Sequence, residues 1–115
     1  MPKRTLPILR ILANVEQASF LVWHEGELQP IVVDSPAWFA WLAQEQSFRL
    51  VYRADLGREV NLTIRPEKRG QRTYWQAWKT IKGRTHKKYL APTATLTKAK
   101  LDAVGAWFLE LVGAK

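Results

Sequence analysis

The spacing of apolar and polar residues changes three times along the chain, and each change marks a change of element. Ala18 to Trp23 and Leu28 to Val33 are β-prone runs around His24, Glu25, Gly26 and Glu27, which predicts a hairpin with Gly26 in the turn. Before them, Leu6, Ile8, Leu9, Ile11 and Leu12 suit a strand or a short helix, and Pro7 opposes a long one. Ser35 followed by Pro36 is a helix start, a hydroxyl at the N-cap and proline at the first helical position. Trp38, Trp41 and Leu42 then recur at helical spacing, so a short helix to about Gln46 has one aromatic face, read first as core and second as a partner-binding face.

From Ser47 the period becomes two. Phe48 to Arg53 reads as a strand, and after Ala54 to Gly57 a second follows, in which Val60, Leu62 and Ile64 alternate with Asn61, Thr63 and Arg65. Pro66 to Gln71 reads as a loop, Thr73 to Ile81 as a strand, Lys82 and Gly83 as a tight turn, and Arg84 to Leu90 as the last strand. Pro92 ends the sheet and Thr97 opens a helix, with Leu96 and Leu101 placed as a hydrophobic staple and Gly113 at its end. Its stripe of Leu101, Val104, Phe108 and Leu111 needs an apolar sheet face, which Val60, Leu62, Ile64, Trp75 and Ala77 supply. The expected fold is α+β: an antiparallel three- to four-stranded sheet backed by a C-terminal helix, preceded by a β-hairpin and a short aromatic helix. It forms one domain over residues 1–115, with residues 1–46 as hairpin and aromatic helix and residues 47–115 as the sheet-plus-helix core.

Composition narrows the class. The chain has 115 residues, 47% of them hydrophobic and 24% charged, so it folds as an ordinary globular protein rather than staying disordered. With no cysteine, a disulfide framework and a cysteine zinc site are excluded. Charged residues break every apolar run, and Pro7 and Arg10 interrupt the only stretch that imitates a signal peptide, so a soluble, cytoplasmic protein without membrane contact is expected.

Charge then points to a partner. The net charge is +8; residues 1–57 carry 5 Lys+Arg against 6 Asp+Glu, and residues 58–115 carry 13 against 4. Between Arg65 and Lys88 nine cations face Glu67 alone, interleaved with Tyr74, Trp75, Trp78 and Tyr89. A folded block of this kind attracts a polyanion and gains from the release of counterions. Burying one set of alternating side chains commits the other set to the opposite face, here Asn61, Thr63 and Arg65 with Tyr74, Gln76, Trp78 and Thr80. If Tyr89 turns inward, Arg84, His86 and Lys88 join that face; a register one residue different exchanges them for Thr85 and Lys87. Such residues suit base edges and phosphates, and a three-stranded sheet can enter a major groove about 12 Å wide.

The order Tyr74-Trp75-Gln76-Ala77-Trp78-Lys79, Lys82-Gly83-Arg84, Lys87-Lys88-Tyr89-Leu90 and a helix from Thr97 resembles the arm-binding N-terminal domains of tyrosine recombinases and the related plant ethylene-response DNA readers. The order Ser35 to Leu42, Ser47-Phe48 and Tyr74 to Lys79 is also similar to a poorly characterised bacterial domain that stands alone or is attached to LuxR-type regulators. The first resemblance spans about Val60 to Leu111 and the second about Ser35 to Leu111. The first implies a sheet lying in the major groove, with Thr63, Arg65, Gln76, Trp78, Arg84, His86 and Lys88 facing DNA; the recombinase catalytic domain is missing, so strand cleavage is not implied.

The expected function is non-enzymatic duplex DNA binding, in transcription regulation or as a mobile-element accessory factor in recombination. Phosphate contacts are expected from Lys68, Arg69, Arg72, Lys82, Lys87 and Lys88, and base reading from Arg65, Gln76, Trp78 and His86. Alternatives are a single-stranded DNA or RNA binder stacking bases on Tyr74 and Trp78, and an adaptor or inhibitor gripping an acidic protein with the Trp38 to Leu42 helix and a basic surface. The N-terminal half would serve a homodimer or a protein partner. No catalytic group, metal or cofactor is expected: only His24 and His86 are present, the acids are scattered, Glu25 and Glu27 suit a solvated turn, and no phosphate-binding glycine loop or nucleophile elbow occurs.

Overall fold

In the computed structural model of the chain, residues 7–12, 19–24, 27–55 and 58–113 are described. Strands β1 (Ile8–Leu12), β4 (Phe48–Asp55), β5 (Arg58–Arg69), β6 (Arg72–Ile81) and β7 (Arg84–Pro92) form one five-stranded sheet in the order β1-β4-β5-β6-β7, and β2 (Ser19–His24) and β3 (Glu27–Val32) form a separate antiparallel pair. The hairpin is therefore present; its expected turn at Glu25 and Gly26 lies outside the described residues. Helix α1 (Pro36–Leu42) precedes the four-strand meander and α2 (Lys98–Gly113) follows it, after a short 3-10 turn at Thr93–Thr95.

The fold is α+β as the pattern implies, with two differences in the sheet. The segment that suited either a strand or a helix is β1, and it pairs in parallel with β4, Leu9 opposite Leu50 and Ile11 opposite Tyr52. The stretch Pro66 to Gln71, expected as a loop, is mostly strand: β5 runs on to Arg69, which pairs with Arg72, and only Gly70 and Gln71 turn the chain. Gly70 makes that turn possible at φ 63, a value an L side chain rarely adopts. At the next hairpin Lys82 (φ 51) and Gly83 (φ 79) both lie in the left-handed region, which matches the right-handed twist of the flanking strands.

One side of the sheet is sealed. Leu9 and Ile11 of β1, Phe48, Leu50 and Tyr52 of β4, Val60, Leu62 and Ile64 of β5, and Trp75 and Ala77 of β6 point to it, each at most 6% exposed. Leu101, Val104 and Phe108 of α2 cover them. α1 is shorter than its pattern suggested, because Ala43 ends it and Glu45 turns to φ 56. Its start is as expected: the Trp38 amide donates to the Ser35 hydroxyl at 3.3 Å. Its aromatic face is core, with Trp38 fully buried and Trp41 5% exposed, so the adaptor reading loses the exposed aromatic helix on which it relied.

Two contacts of α2 have no local sequence signal. The Lys98 amide donates to the Asp34 carboxylate at 2.8 Å, so the helix is capped from 64 residues away. Gly105 rests on Tyr52: a Cβ there would stand 2.7 Å from the Tyr52 Cβ, a position fixed by β4. Gly105→Ala therefore costs about 1–2 kcal/mol net, the overpacking outweighing the roughly 1 kcal/mol of helix propensity gained. Urea unfolding of the variant checks this, and a stabilised variant would refute the close approach.

Burial raises the pKa of the Tyr52 phenol above its ordinary 10.0, the Asp102 carboxylate raises it further, and Lys98 opposes them. A raised folded pKa means that this contribution to stability is complete below the unfolded value and is lost as pH rises from there through the raised folded value. From about pH 10 upward the unfolding midpoint should fall more steeply for the native chain than for Tyr52→Phe. Parallel curves for the two would show that Tyr52 does not govern the loss.

Candidate nucleic-acid interface

Strand alternation leaves the other side of the sheet largely open, with Val51 of β4 buried on it at 6% exposed, and pairing decides who shares it. Thr63 is opposite Trp78 and Arg65 opposite Gln76 between β5 and β6; Trp78 is opposite Lys87 and Gln76 opposite Tyr89 between β6 and β7. Trp78 is the centre of this group. The Arg65 guanidinium lies 4.9 Å from its ring centroid and the Lys87 ammonium 4.6 Å, each from a strand flanking β6. Both are cation–π contacts. The Trp78 indole N–H is buried without an acceptor among the described residues.

Around Trp78 the polar side chains are partly tied to each other. The Gln76 amide donates to the Glu67 carboxylate, and Arg69 lies 3.7 Å from the same oxygen. The Thr80 and Thr85 hydroxyls are 3.1 Å apart, and the Tyr74 and Tyr89 rings have centroids 6.0 Å apart. A shallow depression of about 300 Å³ lies between Trp78 and Thr63, Lys79, Thr80 and Thr85. Another of about 220 Å³ lies between Trp78 and Pro66, Glu67 and Gln76, and Arg65 lines both.

Of the residues expected to face a nucleic acid, Thr63, Arg65, Arg69, Arg72, Gln76, Trp78 and Lys87 share this side. Lys68 lies on the opposite side at the exposed tip of the β5–β6 hairpin, and Lys82 is exposed in the β6–β7 turn. Arg84, His86 and Lys88 are a correction: they pair with Ile81, Lys79 and Ala77 and so point to the helix side, where Lys88 sits 4.8 Å from the Trp107 ring of α2. Tyr89, expected inward, points outward and is 55% exposed. The cause is a β-bulge. Trp75 pairs with Ala91 and Gln76 with Tyr89, which leaves Leu90 unpaired and buries Leu90 and Ala91 in succession. One extra residue inverts the alternation of everything before it in β7.

Three further cations reach the open side: Arg10 of β1 and Arg49 and Arg53 of β4, all exposed. The charge count along the chain had left them out, because they lie in the half that is nearly neutral. Their signal was present in the alternation of Arg49 and Arg53 with Phe48, Leu50 and Tyr52, and of Arg10 with Leu9 and Ile11. Among the described residues the open side thus carries exposed Arg10, Arg49, Arg53, Arg65, Arg69, Arg72 and Lys87 against Glu59 and Glu67. The surface is cationic from β1 to β7.

No family model, curated protein or solved structure matches this chain. Among the described residues no helix is long and apolar enough to cross a membrane.

Proposed function

We propose that the chain is a non-enzymatic, cytoplasmic DNA-binding protein that lays the open side of its five-stranded sheet against a duplex. The observation that carries this reading is the run of seven exposed cations, with two carboxylates, on a face that also bears Trp78, Tyr74 and Tyr89. A sheet sealed by a helix on one side and cationic on the other meets the phosphate backbone with its whole open surface. Arg49, Arg53, Arg65, Arg69, Arg72 and Lys87 make phosphate contacts. Gln76, at the centre of the face, reads base edges, and Thr63 supports it. The order of motifs that resembles the sheet-type DNA readers supports the same docking, in a transcription regulator or a mobile-element accessory factor.

About six phosphate contacts give a log K against log salt slope near −5 on duplex DNA. Titration of a labelled random-sequence duplex between about 50 and 200 mM salt measures it. A flat response would exclude the mechanism. Tyr89, outward and beside Tyr74, favours one second reading, base stacking on single strands, and competition between duplex and single strand decides between the two.

A further inference from the structure

We propose that the cleft between β7 and α2 docks an extended acidic peptide, which adds as a further strand to the free edge of β7 and seats its apolar side chains against Trp107. This site lies on the helix side and does not depend on the duplex reading. Among the described residues β7 ends the sheet and pairs with β6 alone, so one side of the strand presents an unused ladder of amide and carbonyl groups. Beside that edge is a cleft of about 290 Å³ lined by Lys88, Leu90, Lys100, Ala103, Val104 and Trp107. Its floor is apolar, Leu90 and Val104 being buried, while Trp107 stands 40% exposed as a wall. The bulge that turned Leu90 inward supplies part of that floor.

Charge selects the occupant. Lys88 and Lys100 rim the cleft, no carboxylate lines it, and Arg84 and His86 continue along the same side of β7. Lysines on an edge strand repel a second copy of that strand, which leaves an acidic strand as the complementary partner. A strand added here would alternate its side chains between the two sides. Those on the helix side meet Leu90 and Trp107 and suit aliphatic groups; those on the open side meet Lys87 and Tyr89 and suit carboxylates, with Lys88 and Lys100 at the cleft rim adding to the positive field that draws them. A nucleic acid has neither the amide ladder nor the alternating aliphatic groups, so a peptide fits this site better.

The probe is a fluorescein-labelled heptapeptide with blocked ends in which Glu alternates with Val and Leu. The expected result is saturable binding that weakens about tenfold or more when Glu is replaced by Gln, when alternate peptide nitrogens are methylated, or in Lys100→Glu. In an amide correlation spectrum the Trp107 indole and the β7 amides should move most, and the Trp78 indole, which feels only the Lys87 ammonium above its ring, should move less. The proposal is overturned by absent binding, by equal affinity for the acidic and amide peptides, by indifference to N-methylation, or by shifts centred on Trp78. Dimerisation of the free chain through β7 that the peptide fails to compete away would make a second copy the occupant and would equally overturn it.

Discussion

Replacing Arg65 and Lys87 together by glutamine lowers affinity for duplex DNA by about two orders of magnitude at low salt and flattens the log K against log salt slope from near −5 to near −3. Each phosphate contact contributes about 0.9 to that slope, so two lost contacts remove roughly 2 units of it. Hydrogen bonds to charged groups contribute about 1.5–3 kcal/mol each when made, so tenfold per residue is the modest expectation. Both cations lie over the Trp78 ring in the free protein, at 4.9 and 4.6 Å. Leaving it for phosphate costs only about 0.5–1 kcal/mol per contact at an exposed site. The fold barely depends on them, so the melting temperature of the double variant should move little. The control is Arg84→Gln with Lys88→Gln, two cations on the helix side of β7. This pair should leave the slope nearly unchanged. Should the control lower affinity as much as the front pair, or should the front pair leave the slope intact, the open side of the sheet is not the contact surface.

The contrast between those two pairs marks where the sequence could be read and where it could not. Val60, Leu62 and Ile64 fix the faces of β5 by plain alternation, and Trp75 and Ala77 do the same for β6, so the outward placement of Arg65, Gln76 and Trp78 followed from period two alone. The Lys82-Gly83 turn was legible for a similarly local reason, since two residues with positive φ between strands favour this dipeptide type. β7 was not. Its bulge at Leu90 is set by how Leu90 and Ala91 both reach the core under α2, a tertiary outcome with no marker in the strand itself.

Other parts were hidden by distance along the chain. Asp34 caps a helix 64 residues later, and Gly105 is required by the Tyr52 side chain it lies on. Neither partner can be named until the fold is known. Arg10, Arg49 and Arg53 were visible as residues but belonged to an almost neutral half; the antiparallel pairing of β4 with β5 brings Arg49 and Arg53 onto the side of Arg65, and the parallel pairing of β1 with β4 adds Arg10. The cationic face is therefore a property of the sheet order rather than of the basic segment.

Trp38→Ala should lose about 3–5 kcal/mol of stability, the largest single effect expected in this chain. Trp38 is fully buried and stands where α1, the sheet and the approach to α2 meet. Its ring stacks on Trp41 with centroids 6.5 Å apart and 16° between planes, and it meets Phe48 of β4 edge-on at 5.7 Å. Its indole N–H donates to the Leu96 carbonyl at 2.8 Å, just before α2 begins. Truncation thus opens a cavity beside the Trp41 and Phe48 rings and leaves a buried carbonyl without its donor. A domain of this size has only about 5–15 kcal/mol in all, so the variant should melt on the order of 15 °C lower. Trp38→Phe separates the two causes: it keeps a ring in the cluster but cannot bond Leu96, and should cost about 1–3 kcal/mol. The same pair of variants weighs the adaptor reading. If the aromatic face of α1 were a surface kept for a partner, Trp38→Ala would leave thermal stability within about 0.5 kcal/mol of the native chain. A loss of several kcal/mol instead commits α1 to the core and leaves the proposed binding surfaces as the open side of the sheet and the edge beside α2.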